Sequence, residues 1–97
     1  MFWLEGLEAV RRDKLWGFIN SQGHMIIFPA YQTNYNFKLK FSEGLAAVKK
    51  EDKYGYINSN GAIIIAFKYL GAEPFYYGKA AVKVEHRWGF INALGEE

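Results

Sequence analysis

Residues 44–61 read Gly44-Leu45-Ala46-Ala47-Val48-Lys49-Lys50-Glu51-Asp52-Lys53-Tyr54-Gly55-Tyr56-Ile57-Asn58-Ser59-Asn60-Gly61, and the same stretch occurs nearly three times. An earlier copy runs from Gly6 through Ala9 and Val10 to Trp16-Gly17-Phe18-Ile19-Asn20 and Gly23. A later one runs from Gly78 through Ala81 and Val82 to Trp88-Gly89-Phe90-Ile91-Asn92 and Gly95. The first and last glycines lie 17 positions apart in every copy. A motif held in fixed register marks stacked supersecondary modules, each burying an apolar face against its neighbours. Residues repeated for packing say little about chemistry, so functional information is expected where the copies differ.

The distance between copies is one such difference. Gly6 to Gly44 is 38 residues and Gly44 to Gly78 is 34, although the first two copies stay in step as far as Tyr31 and Tyr69. The extra residues therefore fall in the connection 32–40, compared with 70–74, and insertions belong in surface loops. These boundaries divide a single β-repeat domain, residues 1–97, into units 3–40, 41–74 and an incomplete 75–97.

Each unit reads as three short β-strands. Leu45–Lys50 is rich in small and branched residues, and Glu51-Asp52-Lys53 is a polar turn. In Tyr54–Asn58 the two rings alternate onto one face with Ile57 on the other. Asn58-Ser59-Asn60-Gly61 is a hairpin signal, because Asn bonds turn backbone and Gly accepts positive φ. Residues 62–67, Ala-Ile-Ile-Ile-Ala-Phe, predict a third strand buried on both faces. Its first copy is expected to end at Pro29, which cannot donate to a ladder. Leu4–Lys14 is the only helical candidate, and its alignment with Leu45–Lys50 favours a strand. The expectation is an all-β, antiparallel repeat protein of roughly eight strands with little or no helix. The third copy stops at Gly95-Glu96-Glu97, which leaves the edge at Trp88–Asn92 without its expected partner. It is to be closed by the N-terminal strand, by a second chain or by a longer array. A plain three-strand meander also reverses direction at every unit, so either the connection supplies a fourth extended segment or it crosses back.

Composition narrows the function classes. The chain is 51% apolar and 19% aromatic, which excludes disorder. A net charge of +2 is small for a nucleic-acid binder. Without cysteine there are no disulfides or thiolate metal sites. The N-terminus shows no signal-peptide pattern, and no run approaches the roughly 20 apolar residues of a membrane-spanning helix. A cytoplasmic, membrane-free protein is the expectation.

The pattern Phe41-Ser42-Glu43-Gly44-Leu45-Ala46-Ala47-Val48, then Lys53 to Gly61, Ile63 to Ile65 and Tyr69, closely resembles the WG repeat of bacterial proteins. Trp16-Gly17 and Trp88-Gly89 carry the namesake dipeptide, Tyr54-Gly55 departs from it conservatively, and Trp3, Phe41 and Phe75 hold the aromatic position ahead of the first glycine. The resemblance implies a β-stranded repeat of multi-repeat proteins without a general enzymatic activity, and it brings no catalytic residues to this chain.

The remaining candidates are few. The Trp-Gly rings, present in every unit, are expected to pack across the glycine of a neighbouring strand. His24 and His86 occupy different places in their units and gather no ligand set, so no metal or other cofactor is implied. Glu5 and Glu43 share one turn position, with Tyr77 in the third copy, and read as solvated turn residues rather than a glycosidase pair. No nucleophile motif or phosphate-binding loop is present. Arg11, Lys49 and Lys83 form a column at one strand position, a feature that attracts acidic partners or keeps a face soluble. Tyr35, Phe37, Tyr76 and Tyr77 lie off the repeat register, in or beside the connections, where aromatics form binding patches. The reading is a non-catalytic binding or scaffolding module. Its partner is another protein, or a second copy joined through the incomplete third unit. The alternative is a carbohydrate-binding module using the off-register tyrosines.

Overall fold

The computed structural model describes residues 7–32 and 41–97. Tyr35 and Phe37 lie outside the described residues, as do Trp3, Glu5 and most of the longer connection. The first copy folds as β1 (Leu7–Arg12), β2 (Leu15–Asn20) and β3 (Met25–Tyr31). The second gives β4 (Leu45–Lys50), β5 (Lys53–Asn58) and β6 (Ile63–Tyr69). The third sheet holds a short β7 (Gly71–Ala72), then β8 (Ala80–Val84) and β9 (Arg87–Ile91). All three sheets are antiparallel and run in chain order, and the described residues contain no helix.

Local chemistry accounts for the hairpins. Glu51 and Asp52 both take positive φ, 53° and 70°, the backbone signature of a twist-matched two-residue turn between β4 and β5. At the next turn the Asn58 side-chain oxygen accepts from the Asn60 and Ala62 amides at 3.0 and 2.9 Å. Asn20 and Asn92 repeat this arrangement in their own units. The recurring asparagine thus organises its turn, because a short amide side chain satisfies donors the hairpin leaves open.

The third strands differ from their expectation. Tyr54 pairs with Tyr69 and Tyr56 with Ile65, so Ala66, Phe67 and Lys68 all bulge opposite the single Gly55. Phe28, Pro29 and Ala30 do the same over Gly17. β3 consequently runs through Pro29 instead of ending there, since a bulge releases a residue from the ladder. Nor are these strands buried on both faces. β3 and β6 are the outer strands of their sheets, and Phe28, Ile63 and Ile64 are exposed while Ile27, Tyr31, Ile65 and Tyr69 are buried.

The core forms two layers on either side of the middle sheet. Leu45, Ala47, Tyr54, Tyr56, Ile65 and Tyr69 pack against Phe75, Ala80, Val82 and Ile91 of the third unit. From the opposite face Ala46, Val48 and Ile57 pack with Phe18, Ile27, Tyr31 and Phe41. Burial on both faces explains the small, wholly apolar Leu-Ala-Ala-Val run. Each junction carries an edge-to-face aromatic pair: Phe18 with Phe41 at 4.8 Å and Tyr56 with Phe75 at 4.9 Å. Such pairs contribute about 0.5–1.5 kcal/mol beyond the area they bury.

Polar ties follow the same course. Tyr56 Oη donates to the Glu73 carbonyl at 2.7 Å, and Ser42 Oγ donates to the Phe75 carbonyl. Glu43 does more than the solvated role read from the sequence. Its carboxylate accepts from the amides of Tyr77 and Gly78 at 2.6 and 2.8 Å, so one unit's turn clasps the equivalent turn of the next.

The second connection supplies a short extended segment, whereas residues 33–40 of the first lie outside the described residues. Gly71 and Ala72 pair with Lys83 and Val82, and Leu70 N donates to Lys83 O at 2.9 Å. At the first junction Gln32 N donates in the same way to Lys49 O at 2.8 Å. A strand leaving the second sheet therefore enters the third. β1 pairs with β2 and does not close the sheet at β9.

Candidate functional site

The repeat provides its own reference for what is open and what is filled. Tyr54 and Tyr56 on β5 are 2% and 0% exposed, because β6 flanks them and the third unit covers them. The same positions on β9 are Trp88 and Phe90, and they are 51% and 64% exposed. Phe18, their counterpart on β2, is fully buried. Trp88 keeps the cross-glycine packing read for the Trp-Gly rings, since it lies over Gly71, yet Trp88 and Phe90 are far more exposed than Tyr54 and Tyr56, and Trp16 is half-buried.

The glycine explanation also changes. A Cβ on Gly55 would lie 2.6 Å from the Ile65 carbonyl oxygen, and one on Gly17 would strike the Ile27 carbonyl oxygen. What crosses these glycines is the bulged backbone of the third strand, not an aromatic ring. A Cβ on Gly89 would meet nothing within 4 Å. Among the described residues β9 ends its sheet, and surface hollows of about 200 and 300 Å³ lie along it. Val82, Val84, Trp88, Gly89 and Phe90 line the smaller one. The indole of Trp88 also lies over Gly71, where a Cβ would come within 2.9 Å of the ring. That contact fixes part of the ring while leaving half of it in solvent.

Electrostatics distinguish the open sheet from the packed ones. Burial pushes the Tyr31 phenol up, and burial, reinforced by Tyr69 and Glu73, pushes Tyr56 up much further. Both belong to the packed sheets. The hollows along β9 carry charges of both signs, Arg87 and Glu97 at the smaller and Lys79, Glu96 and Glu97 at the larger. Among the described residues no group of three His, Cys, Asp or Glu side chains is gathered, and no helix is long and apolar enough to cross a membrane.

The residues singled out from the sequence are distributed as follows. Arg11, Lys49 and Lys83 lie in three different sheets, each paired across its hairpin with the unit's aromatic: Trp16, Tyr54 and Trp88. Lys49 Nζ stands 5.6 Å from the Tyr54 ring centre, so this cation covers an aromatic face. Tyr76 is half exposed and Tyr77 is 97% exposed, both on the turn before β8. Trp88, Gly89 and Phe90 are absent from that set, because repeat logic assigns them to the core. The signal that would have found them is the missing third strand of the last unit.

The sequence model of the WG containing repeat matches residues 16–54 and 54–85, most of the chain. The chain belongs to the WG repeat family. The matches begin at Trp16 and Tyr54, the aromatic of each Trp-Gly position. No curated protein and no solved structure matches the chain. In this WG protein the two residues of the dipeptide divide the work of the junction. In the second unit Tyr54 enters the junction core, and in the first two units the glycine admits the bulged third strand.

Proposed function

We propose that this WG protein is a non-catalytic binding or scaffolding module that engages another polypeptide through the open sheet of its third unit. The observation that carries this reading is the exposure of Trp88 and Phe90 where Tyr54, Tyr56 and Phe18 at equivalent positions are buried. Exposed aromatic rings with polar residues of both charges around them suit a protein partner, since aromatic residues at such positions anchor interfaces. The test is site-specific photo-crosslinking in cells from a photoreactive residue at position 90, with position 64, an exposed site on the second unit, as control. Polypeptide adducts from position 90 alone are expected, and equal labelling at both positions removes the reading. A strict monomer by light scattering across micromolar concentrations removes the version in which the partner is a second copy.

A second reading has its own observation, the near-complete exposure of Tyr77 beside Tyr76. Exposed rings stack on sugars, so a carbohydrate ligand is the alternative at that turn. Tyrosine fluorescence that stays unchanged across a broad glycan panel eliminates it.

A further inference from the structure

The second turn of every unit has one form and three sequences: Asn20-Ser21-Gln22-Gly23, Asn58-Ser59-Asn60-Gly61 and Asn92-Ala93-Leu94-Gly95. The glycines take φ of 85°, 87° and 82°. Their amides donate to the carbonyl of the first asparagine at 3.0, 2.9 and 2.9 Å. The residue before the glycine differs, and its chemistry decides whether the turn is inert. Leu94 offers no electrophilic carbon, and Gln22 sets its carboxamide one methylene too far for a five-membered ring. Asn60 sets Cγ where the nitrogen of Gly61 can close such a ring, and Gly61 brings no β-carbon to obstruct it. Asn60 is also exposed to water.

The fold restrains this chemistry at one bond. While the Gly61 N–H is held by the Asn58 carbonyl, its nitrogen is kept from Asn60 Cγ. Asn58 Oδ1, accepting from the Asn60 and Ala62 amides, keeps the turn closed. The carboxamides of Asn20, Asn58 and Asn92 are themselves pinned by the amides they accept. Among the described residues no such bond engages the carboxamide of Asn60. Position gives the turn its consequence. A Cβ on Gly61 would lie 3.4 Å from Ile27 Cγ1, so the turn rests on the third strand of the first unit. Gly95 rests on Ile65 in the same way, 3.8 Å by the same measure, but follows the unreactive Leu94.

We propose that Asn60 is a site of spontaneous modification that loosens the junction between the first and second units. When the turn opens, the Gly61 nitrogen loses its proton to base and attacks Asn60 Cγ. The new N–C bond replaces the Cγ–Nδ2 bond, and the side-chain nitrogen takes up a proton and leaves as ammonia. Water then opens the succinimide at one of its two carbonyls, giving isoaspartate or aspartate, with no change of oxidation state. Either product exchanges a neutral side chain for a carboxylate, and isoaspartate also lengthens the backbone by one methylene. Against the buried Ile27 that extra length displaces the turn, because close-packed contacts respond to a single methylene. None of this depends on what the third unit binds.

The test ages the 97-residue protein at mildly alkaline pH and follows its peptides by mass. A one-dalton gain is expected on the peptide containing Asn60. The aged protein is also expected to accept methyl groups from S-adenosylmethionine through an isoaspartate-specific methyltransferase. Asn60→Gln, which copies the first unit's turn, is expected to abolish both signals. Asn58→Ala weakens the latch and is expected to speed the gain about five- to thirtyfold as the open population rises. A free peptide of residues 56–63 is expected to react faster than the folded protein. In the modified protein, amide exchange should quicken at Gln32, whose N–H bonds Lys49 O at the first junction, and stay unchanged at Leu70, its counterpart at the second. A gain located elsewhere than Asn60 overturns the proposal. Equal rates in the free peptide and the folded protein, or in Asn58→Ala and the wild type, overturn the latch. Unchanged exchange at Gln32 overturns the link to the junction.

Discussion

Tyr56 and Phe90 occupy the same place in successive units, and so do Gly55 and Gly89. Around the first of each pair lie a third strand and a following unit; around the second lies solvent. The identical local motif is therefore structural in the middle sheet and available in the last. Position in the stack decides the role of a WG residue as much as its identity does.

Truncation of the junction aromatics tests this contrast most severely. Phe75→Ala is expected to cost about 3–5 kcal/mol, the range for large aromatic deletions in a packed core. Phe90→Ala should change stability by less than about 0.5 kcal/mol, as at ordinary surface sites. Chemical denaturation of both variants checks the pair, and equal losses break the comparison. Next comes the glycine pair. Gly55→Val should cost about 2–4 kcal/mol by forcing the β6 backbone away, while Gly89→Val stays within about 0.5 kcal/mol. A mild Gly55→Val would undo the bulge-crossing role assigned to that glycine.

Smaller effects sharpen the account of the turns. Asn58→Ala removes an acceptor shared by two amides and should cost about 1–2 kcal/mol, read as a shift in denaturation midpoint. Glu43→Ala breaks the clasp onto Tyr77 and Gly78. Because that site is exposed, the expected loss is no more than about 1 kcal/mol, with faster amide exchange at those two residues. The last test is one of alkaline pH, at Tyr56. Its folded phenol titrates above its unfolded value of 10.0, so the protonated form is favoured in the fold. The associated stability is fully present below pH about 10 and is lost progressively above it, because the unfolded chain then releases the proton more readily. Tyr56→Phe should flatten that alkaline decline in a pH series of melting temperatures.

Much of this was legible in the sequence. The alternation Tyr54, Tyr56 against Ile57 placed two rings on one face, and the recurring Asn and Gly located the hairpins, because these are short-range effects written in adjacent residues. The burial of the third strand was misread for a physical reason. An Ile63-Ile64-Ile65 run looks the same on a central strand as on an outer one, and only the sheet order exposes Ile63 and Ile64. The bulge was illegible for a related reason: a register slip between two strands has no local code, although Pro29 inside β3 hinted at it. The open face followed in principle from the absent strand beside Trp88. Repeat reasoning overrode that hint by assigning every equivalent ring to the core.

One residue, Leu70, separates the end of β6 from the start of β7. The sheets are thus joined by a nearly continuous strand, with no slack to absorb load. Tension that strips β7 from β8 passes directly into the β6 ladder. For that reason the second and third units are expected to yield together under pulling, as one laced body.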